Sequence, residues 1–346
     1  MSSFLLLSNL GNQYLWQDEA QTALIGKTIL TDGVPRGYDG KNYFSQELGA
    51  EYGKEYIWKW HTWLPFYIVA LSFKLLGTNT FAARFPFVLF GIGSIFLTYY
   101  FTIALYKDRS TARVAVILLL TSVPFLLLSK QCRYYSPAIF FSLLSLHAYL
   151  KILENKRRGT LIFLVSSTLL FHTHFVYCAI ILTTIFINSV IFHKEKIIKM
   201  LMLSTLIVFL NLPWIVWLST MKYSERYITN IISFPLFLDF FKQYVSQIFG
   251  YIIPPFMLLI LLLITAYAWH KKHPLFTSYK NKQKNMYLLI IYLISNIMVL
   301  SLFSPYPFFR YLGPSIPVLI IITSHFITFF AQLISRFSLN ISICII

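Results

Sequence analysis

Long apolar runs, each closed by a short cluster of Lys and Arg, constrain this chain more than any other feature. Phe85 to Tyr106 is followed by Lys107, Arg109 and Arg113; Pro137 to Leu150 by Lys151, Lys156, Arg157 and Arg158; and the stretch 159–192 by Lys194, Lys196 and Lys199. A helix needs about 20 apolar residues to cross a bilayer, and within the hydrocarbon only helices and closed barrels satisfy their own backbone. Runs of this length predict an all-α, polytopic membrane protein of about nine or ten transmembrane helices. Only 12% of the residues are charged, about half the share usual in soluble domains.

The net charge of +17 does not point to nucleic acid. The basic residues lie in short connections between apolar runs, as the positive-inside rule requires, and leave no soluble face for a basic groove. Cys132, Cys178 and Cys344 are far apart and form no C-x-x-C pair, so neither a zinc knuckle nor a disulfide framework is indicated.

One topology accommodates the whole chain as a single domain, 1–346, with an outer segment 18–83 carrying juxtamembrane helices and a helical bundle 84–335. At the N-terminus, Phe4 to Leu10 is too short to span and has no basic flank of a signal peptide, so a first span is read as cut short. Ala20, Ala23, Leu24, Ile29 and Leu30 space a surface helix that ends near Asp32-Gly33. Val34 to Lys59 is the most polar part of the chain and belongs outside the bilayer. Thr62 to Gly77, interrupted by Lys74, is read as interfacial. The spans that follow are 84–106, 114–129, 137–150, two short ones within 159–192 turning near His172-Thr173-His174, 197–218, 252–269, 287–303 and 312–333, with 220–248 an outer loop. Sidedness follows from the charges, since this arrangement puts most of the 29 Lys and Arg in inner loops; a spanning Thr62 to Gly77 would exchange every later side. Asp18, Glu19, His61, Arg133, Tyr134, His172, His174 and Arg310 then share the outer face.

Asp18-Glu19 is an acidic pair in a chain with only 12 Asp and Glu. Asp18 either caps the helix that follows, with Glu19 complementing its dipole, or the pair supplies a general base or a divalent metal site. Arg133, flanked by Tyr134 and Tyr135, and Arg310, between Phe309 and Tyr311, read as snorkelling belt residues or as anion clamps, because a guanidinium forks onto phosphate oxygens. His61 and the His172/His174 pair are hydrogen-bonded turn residues or, for H-x-H, two rings offered to a metal. No Walker A, G-x-G-x-x-G or G-x-S-x-G motif is present, so a soluble nucleotide donor has no cradle.

Leu15-Trp16-Gln17-Asp18-Glu19-Ala20 resembles the acidic motif of the GT-C superfamily of polyprenyl-phosphate-sugar-dependent glycosyltransferases. His61-Thr62-Trp63-Leu64-Pro65-Phe66-Tyr67 resembles its H-P-P-L-Y-Y-type segment, without the second proline. Similar too are Leu76-Gly77 through Ala83-Arg84-Phe85-Pro86, Arg133-Tyr134-Tyr135, His172-Thr173-His174-Phe175, Leu212-Pro213-Trp214 and Arg310-Tyr311-Leu312 with Pro317. The branch that these segments resemble contains the aminoarabinose lipid A transferase, the lipopolysaccharide galacturonosyl transferases and the protein O-mannosyltransferases.

The resemblance implies a multi-pass protein of a bacterial inner membrane that works on its outer face. It would make an inverting transfer of a hexosyl or pentosyl group from a polyprenyl phosphate sugar to a hydroxyl of a lipid, glycan or protein acceptor. On that model Asp18 takes the acceptor proton, Glu19 orients the site or a divalent metal, and Arg133, Arg310 and His61 face the donor phosphate. Tyr134, His172 and His174 are candidate substrate contacts. The competing reading is a transporter or flippase of a lipid-linked saccharide, which makes no bond.

Overall fold

The computed structural model describes residues 2–46, 48–219, 233–252 and 283–344. Its regular elements are helices: α1 (Ser2–Leu7), α2 (Gln17–Asp32), α3 (Leu64–Leu76), α4 (Thr80–Tyr106), α5 (Arg109–Thr121), α6 (Val123–Lys130), α7 (Tyr135–Leu153), α8 (Arg157–Thr173), α9 (Phe175–Phe192), α10 (Ile197–Leu210), α11 (Leu212–Ser219), α12 (Phe234–Tyr251), α13 (Gln283–Phe303) and α14 (Ser315–Cys344). Among the described residues five helices are long and apolar enough to cross a membrane: α4, α7, α9, and the segments Asn285–Phe303 of α13 and Ser315–Gln332 of α14. The chain is a multi-pass, all-α membrane protein.

Local sequence sets where these helices begin and end. Asn79 caps α4 by accepting from the Ala82 N–H at 2.8 Å, and Asp108 caps α5 through Ser110 and Thr111. Gly33 ends α2 in the left-handed conformation, φ 73°, and donates its N–H to Ile29, a geometry that glycine adopts without steric cost.

Three stretches depart from the sequence expectation. The span expected over 114–129 is the pair α5 and α6, bent by 66°. Pro124 stands in the first turn of α6, where it supplies no N–H to continue the α5 ladder and disfavours helical geometry in the residue before it. The span expected over 197–218 breaks at Asn211, whose side-chain amide donates back to Ile207 O at 2.7 Å, just ahead of Pro213. Residues 234–248, read as outer loop, belong to α12, which Ser233 caps and Pro235 opens. The remainder of that loop, the expected span beyond Ile252 and most of the basic segment that follows it lie outside the described residues.

α3 has 13 residues, about 20 Å of helix against a hydrocarbon layer of roughly 30 Å, which fits its interfacial reading. It packs on α2 and α4 through Ala23, Val69, Phe73, Ala82, Phe87 and Cys132. A Cβ at Gly26 would come within 2.9 Å of Val69 Cγ1, so glycine lets α2 and α3 approach this closely. The main core runs through α4, α7, α8, α9, α13 and α14, and Leu6 of α1 and Leu10 join it. Buried hydroxyls bridge its helices: Ser145 with Ser166 at 2.8 Å, and Tyr149 with Asn188 at 2.9 Å. Such pairs are the usual polar glue of helices in lipid.

The two ends of the bundle differ in charge. The C-termini of α4, α7 and α9 bring together Lys107, Glu154, Lys156 and, through Asn155, Lys196, so the basic connections expected on one side do meet there. The N-termini of α7 and α9, at Tyr135 and Phe175, point the other way, where the acidic pair sits.

Candidate functional site

At that second end a cavity of about 300 Å³ is lined by Asp18, Gln46, His61, Arg133, Tyr134, Tyr135, His174 and Arg310, with Trp16, Trp60, Tyr306, Phe308 and Tyr311 as aromatic walls. Asp18, His61, Arg133, Tyr134, His174 and Arg310, separated by up to nearly 300 positions in sequence, are thus brought together. Two of the candidates are not. Glu19 lies behind the cavity, and His172 faces Trp214 at 5.3 Å between ring centroids, whereas His174 lies 4.6 Å from Tyr134. The H-x-H pair diverges because Thr173 ends α8 and His174 is extended, φ −165° and ψ 109°, which turns the two rings apart.

Asp18 is not the cap of α2. Trp16 holds that position, and its N–H donates to Glu19 Oε2 at 3.3 Å. The Asp18 carboxylate is therefore free to face the cavity, although it is only 7% exposed. Gln46 Nε2 donates to its Oδ1 at 3.4 Å, and Arg310 Nη2 lies 3.5 Å from Oδ2.

Glu19, 1% exposed, is held by Arg84. Nε and Nη2 donate to the two carboxylate oxygens at 2.8 and 2.6 Å, and the remaining N–H groups donate to Leu10, Gln13 and Tyr14 carbonyls. All five guanidinium hydrogens are used. Glu19 Oε1 also accepts from the Cys132 N–H at 2.7 Å. One buried ion pair so fixes the segment before α2, the first turn of α2 and the backbone next to Arg133. The sequence marks Arg84 as part of the family-like segment that opens a span but gives it no place in the site; a charge in an apolar helix calls for a counter-ion, and that signal would have paired it with one of the few acids.

Arg133 is 7% exposed. Its Nη1 donates to Asp18 O at 3.1 Å, Gln21 Oε1 at 3.3 Å and Thr22 Oγ1 at 2.8 Å, which ties α7 to α2. The Nε atoms of Arg133 and Arg310 and the Nδ1 atoms of His61 and His174 are buried without a protein partner. Phe308 lies under the Arg310 guanidinium at 4.3 Å, with Trp16 at 5.7 Å, contacts that favour a cation over a ring face.

The histidines are held neutral. Burial, and then the Arg133 guanidinium, lower His174 from 6.5 to about 3, and burial with Arg133, His174 and Arg310 pushes His61 well below its ordinary value. Both groups bind protons more weakly folded than unfolded, so stability is full above the unfolded value of 6.5 and falls as pH drops below it, down to about 3 for His174. Acidification from pH about 6.5 is therefore expected to lower the melting temperature in detergent, and His174→Gln to flatten that slope. An equal slope in the variant would refute the assignment.

The donor set does not fit a metal shared by Asp18 and Glu19. Both Glu19 oxygens are occupied by Arg84 and Cys132 N–H, and among the described residues no group of three or more His, Cys, Asp or Glu could hold a metal ion.

A family model described as dolichyl-phosphate-mannose-protein mannosyltransferase matches residues 60–217. Two crystal structures of ArnT from Cupriavidus metallidurans share the fold. The one bound to undecaprenyl phosphate has a TM-score of 0.61 and the apo one 0.58, each at 14% identity, over 94% and 89% of this chain. The chain spans 58% and 54% of their lengths. No curated protein sequence matches it. Similar to the mannosyltransferase family model over residues 60–217 and to ArnT over 94% of its own residues, the chain has the fold of ArnT.

Proposed function

We propose that the chain is a membrane glycosyltransferase that moves a sugar from a polyprenyl phosphate to an acceptor hydroxyl in the cavity at Asp18. The observation that carries this reading is one carboxylate and two guanidiniums in a single small cavity, with an Nε of each guanidinium left unpartnered. The structure of ArnT bound to undecaprenyl phosphate supports a polyprenyl phosphate as the donor.

Asp18 accepts the proton of the acceptor hydroxyl as its oxygen attacks the anomeric carbon. The bond from that carbon to the phosphate oxygen breaks, and polyprenyl phosphate leaves with the electron pair. A single displacement of this kind inverts the anomeric centre. Arg310 and Arg133 meet the charge that develops on the phosphate, a role commonly worth about 3 kcal/mol per donor. Arg133 also keeps α2, and with it Asp18, in register with α7. His61 and His174, neutral, offer one donor and one acceptor each to sugar hydroxyls or phosphate oxygens. Glu19 acts at one remove, as the buried partner that holds Arg84. The site is read as lying on the outer face of the membrane, from the side preference of the basic connections; a bacterial inner membrane is what the resemblance of the sequence motifs implies.

The test is to supply a polyprenyl phosphate sugar, labelled in the sugar, to the purified protein in vesicles with an acceptor extract. Release of unlabelled polyprenyl phosphate with label in the acceptor is expected. Movement of label across the vesicle membrane without that release would replace the reading by a flippase.

A further inference from the structure

Outside the cavity, the most exposed concentration of aromatic rings in the polar segment is a group of tyrosines that the transfer reaction does not use. Tyr38 stacks on Tyr43 at 4.5 Å between centroids, and Tyr56 closes the group at 5.0 Å from Tyr38 and 5.4 Å, edge-on, from Tyr43. Tyr38 and Tyr43 cover part of each other's faces, the phenol oxygens of Tyr43 and Tyr56 lie 3.5 Å apart and the Tyr38 hydroxyl donates to Gly40 O at 2.7 Å. Yet the group stays open to its surroundings, since Tyr43 is 58% and Tyr56 37% exposed.

The segment that carries them is anchored. Asp39 Oδ1 accepts from the Lys41 and Asn42 N–H groups at 2.9 and 2.6 Å, and Glu51 accepts from Ser45 Oγ at 2.6 Å and from the Gln46 N–H. Gln46 is the continuation of this platform into the site, since its side chain lines the cavity and donates to Asp18. Tyr43 and Gln46 are three positions apart, at most about 10 Å of chain.

We infer that Tyr38, Tyr43 and Tyr56 form a saccharide-binding platform at the mouth of the cavity. The acceptor would then be a glycan whose reacting hydroxyl reaches Asp18 while a neighbouring sugar unit rests on the tyrosines. The chemistry is that of sugars: one face of a pyranose presents polarised C–H bonds that suit the negative face of an aromatic ring, and its hydroxyl edge finds the phenol oxygens. The acceptor assignment rests on the transferase reading, whereas the platform itself does not.

The test needs no transfer. The protein in lipid nanodiscs is exposed, without donor, to a printed panel of defined oligosaccharides. Binding to members of the panel is expected, with a loss of about tenfold or more in Tyr43→Ala/Tyr56→Ala and retention in Tyr43→Phe, which keeps the ring. An unchanged melting temperature of the double variant shows that it is folded. No binding to any member, or equal binding by the folded double variant, would overturn the platform. So would a nitroxide at Tyr43→Cys that is relaxed by lipid-soluble oxygen but not by a water-soluble nickel chelate, because the rings would then lie in the bilayer. Panel binding with no transfer by the wild-type protein would instead remove the transferase reading and leave the platform standing.

Discussion

Asp18→Asn is expected to lower sugar transfer by about 10²- to 10⁴-fold, the usual worth of a positioned general base, while the protein reaches the membrane at wild-type levels. The substitution keeps the shape of the side chain and its contact with Gln46, but an amide cannot take the acceptor proton. It also removes the charge opposite Arg310, whose Nη2 lies 3.5 Å from the carboxylate. Binding of the polyprenyl phosphate donor should therefore hold or strengthen, since Arg310 loses its competing anion. The two readouts separate a base from a binding residue. Undiminished transfer would remove Asp18 as the base, and a parallel loss of donor affinity would make it a contact for the donor.

Arg84→Met is expected to be the most damaging single change to the fold of the site. It leaves the Glu19 carboxylate buried against the Cys132 N–H with no counter-ion and frees three carbonyls before α2. Breaking a buried pair from one side costs about 3–5 kcal/mol, because the remaining charge stays desolvated; Arg84 keeps 12% of its side chain exposed, which puts the expected loss at the low end of that range. Arg84→Lys should recover only part of this loss, since an ammonium cannot fork onto both Glu19 oxygens and still reach Leu10, Gln13 and Tyr14. The double variant Arg84→Met/Glu19→Gln should be more stable than Arg84→Met alone, as the stranded charge is gone. Thermal unfolding of the four proteins in the same detergent measures this. A single variant as stable as the wild type would show that the pair is not the clasp described above.

The same pair explains why two adjacent acids have separate fates. On α2, side chains at neighbouring positions point about 100° apart. Asp18 is directed to the cavity and Glu19 to α4 and the backbone before α7. Sequence reading assigns them a common site because adjacency in the chain is all it has. Direction is added by the helix that they begin.

Pro124 and Asn211 illustrate a different limit. Each lies in a stretch whose apolar content and length suffice for a span, and hydropathy averages over the break. The 66° bend between α5 and α6 is a local backbone event that a composition window does not resolve. Gln46 lies beyond sequence inference altogether. Its neighbours are polar loop residues, and nothing in their order says that an amide there will meet Asp18, 28 positions away.

By itself, the sequence determined the solvent of this protein and the chemistry available to it. Apolar runs and basic connections require helices in a bilayer, because backbone groups and charges are too costly to leave unsatisfied there. The scarcity of acids singled out Asp18-Glu19, and the aromatic flanks of Arg133 and Arg310 made these two the candidates for the proposed anion contacts. Only the tertiary structure decided which of these residues meet. It put His174 rather than His172 beside Tyr134, gave Arg84 to Glu19 and left Asp18 facing Arg310. The reason is physical: burying a charge is tolerable only where a partner of fitting geometry arrives from another helix, and that arrival is a property of packing, not of spacing along the chain.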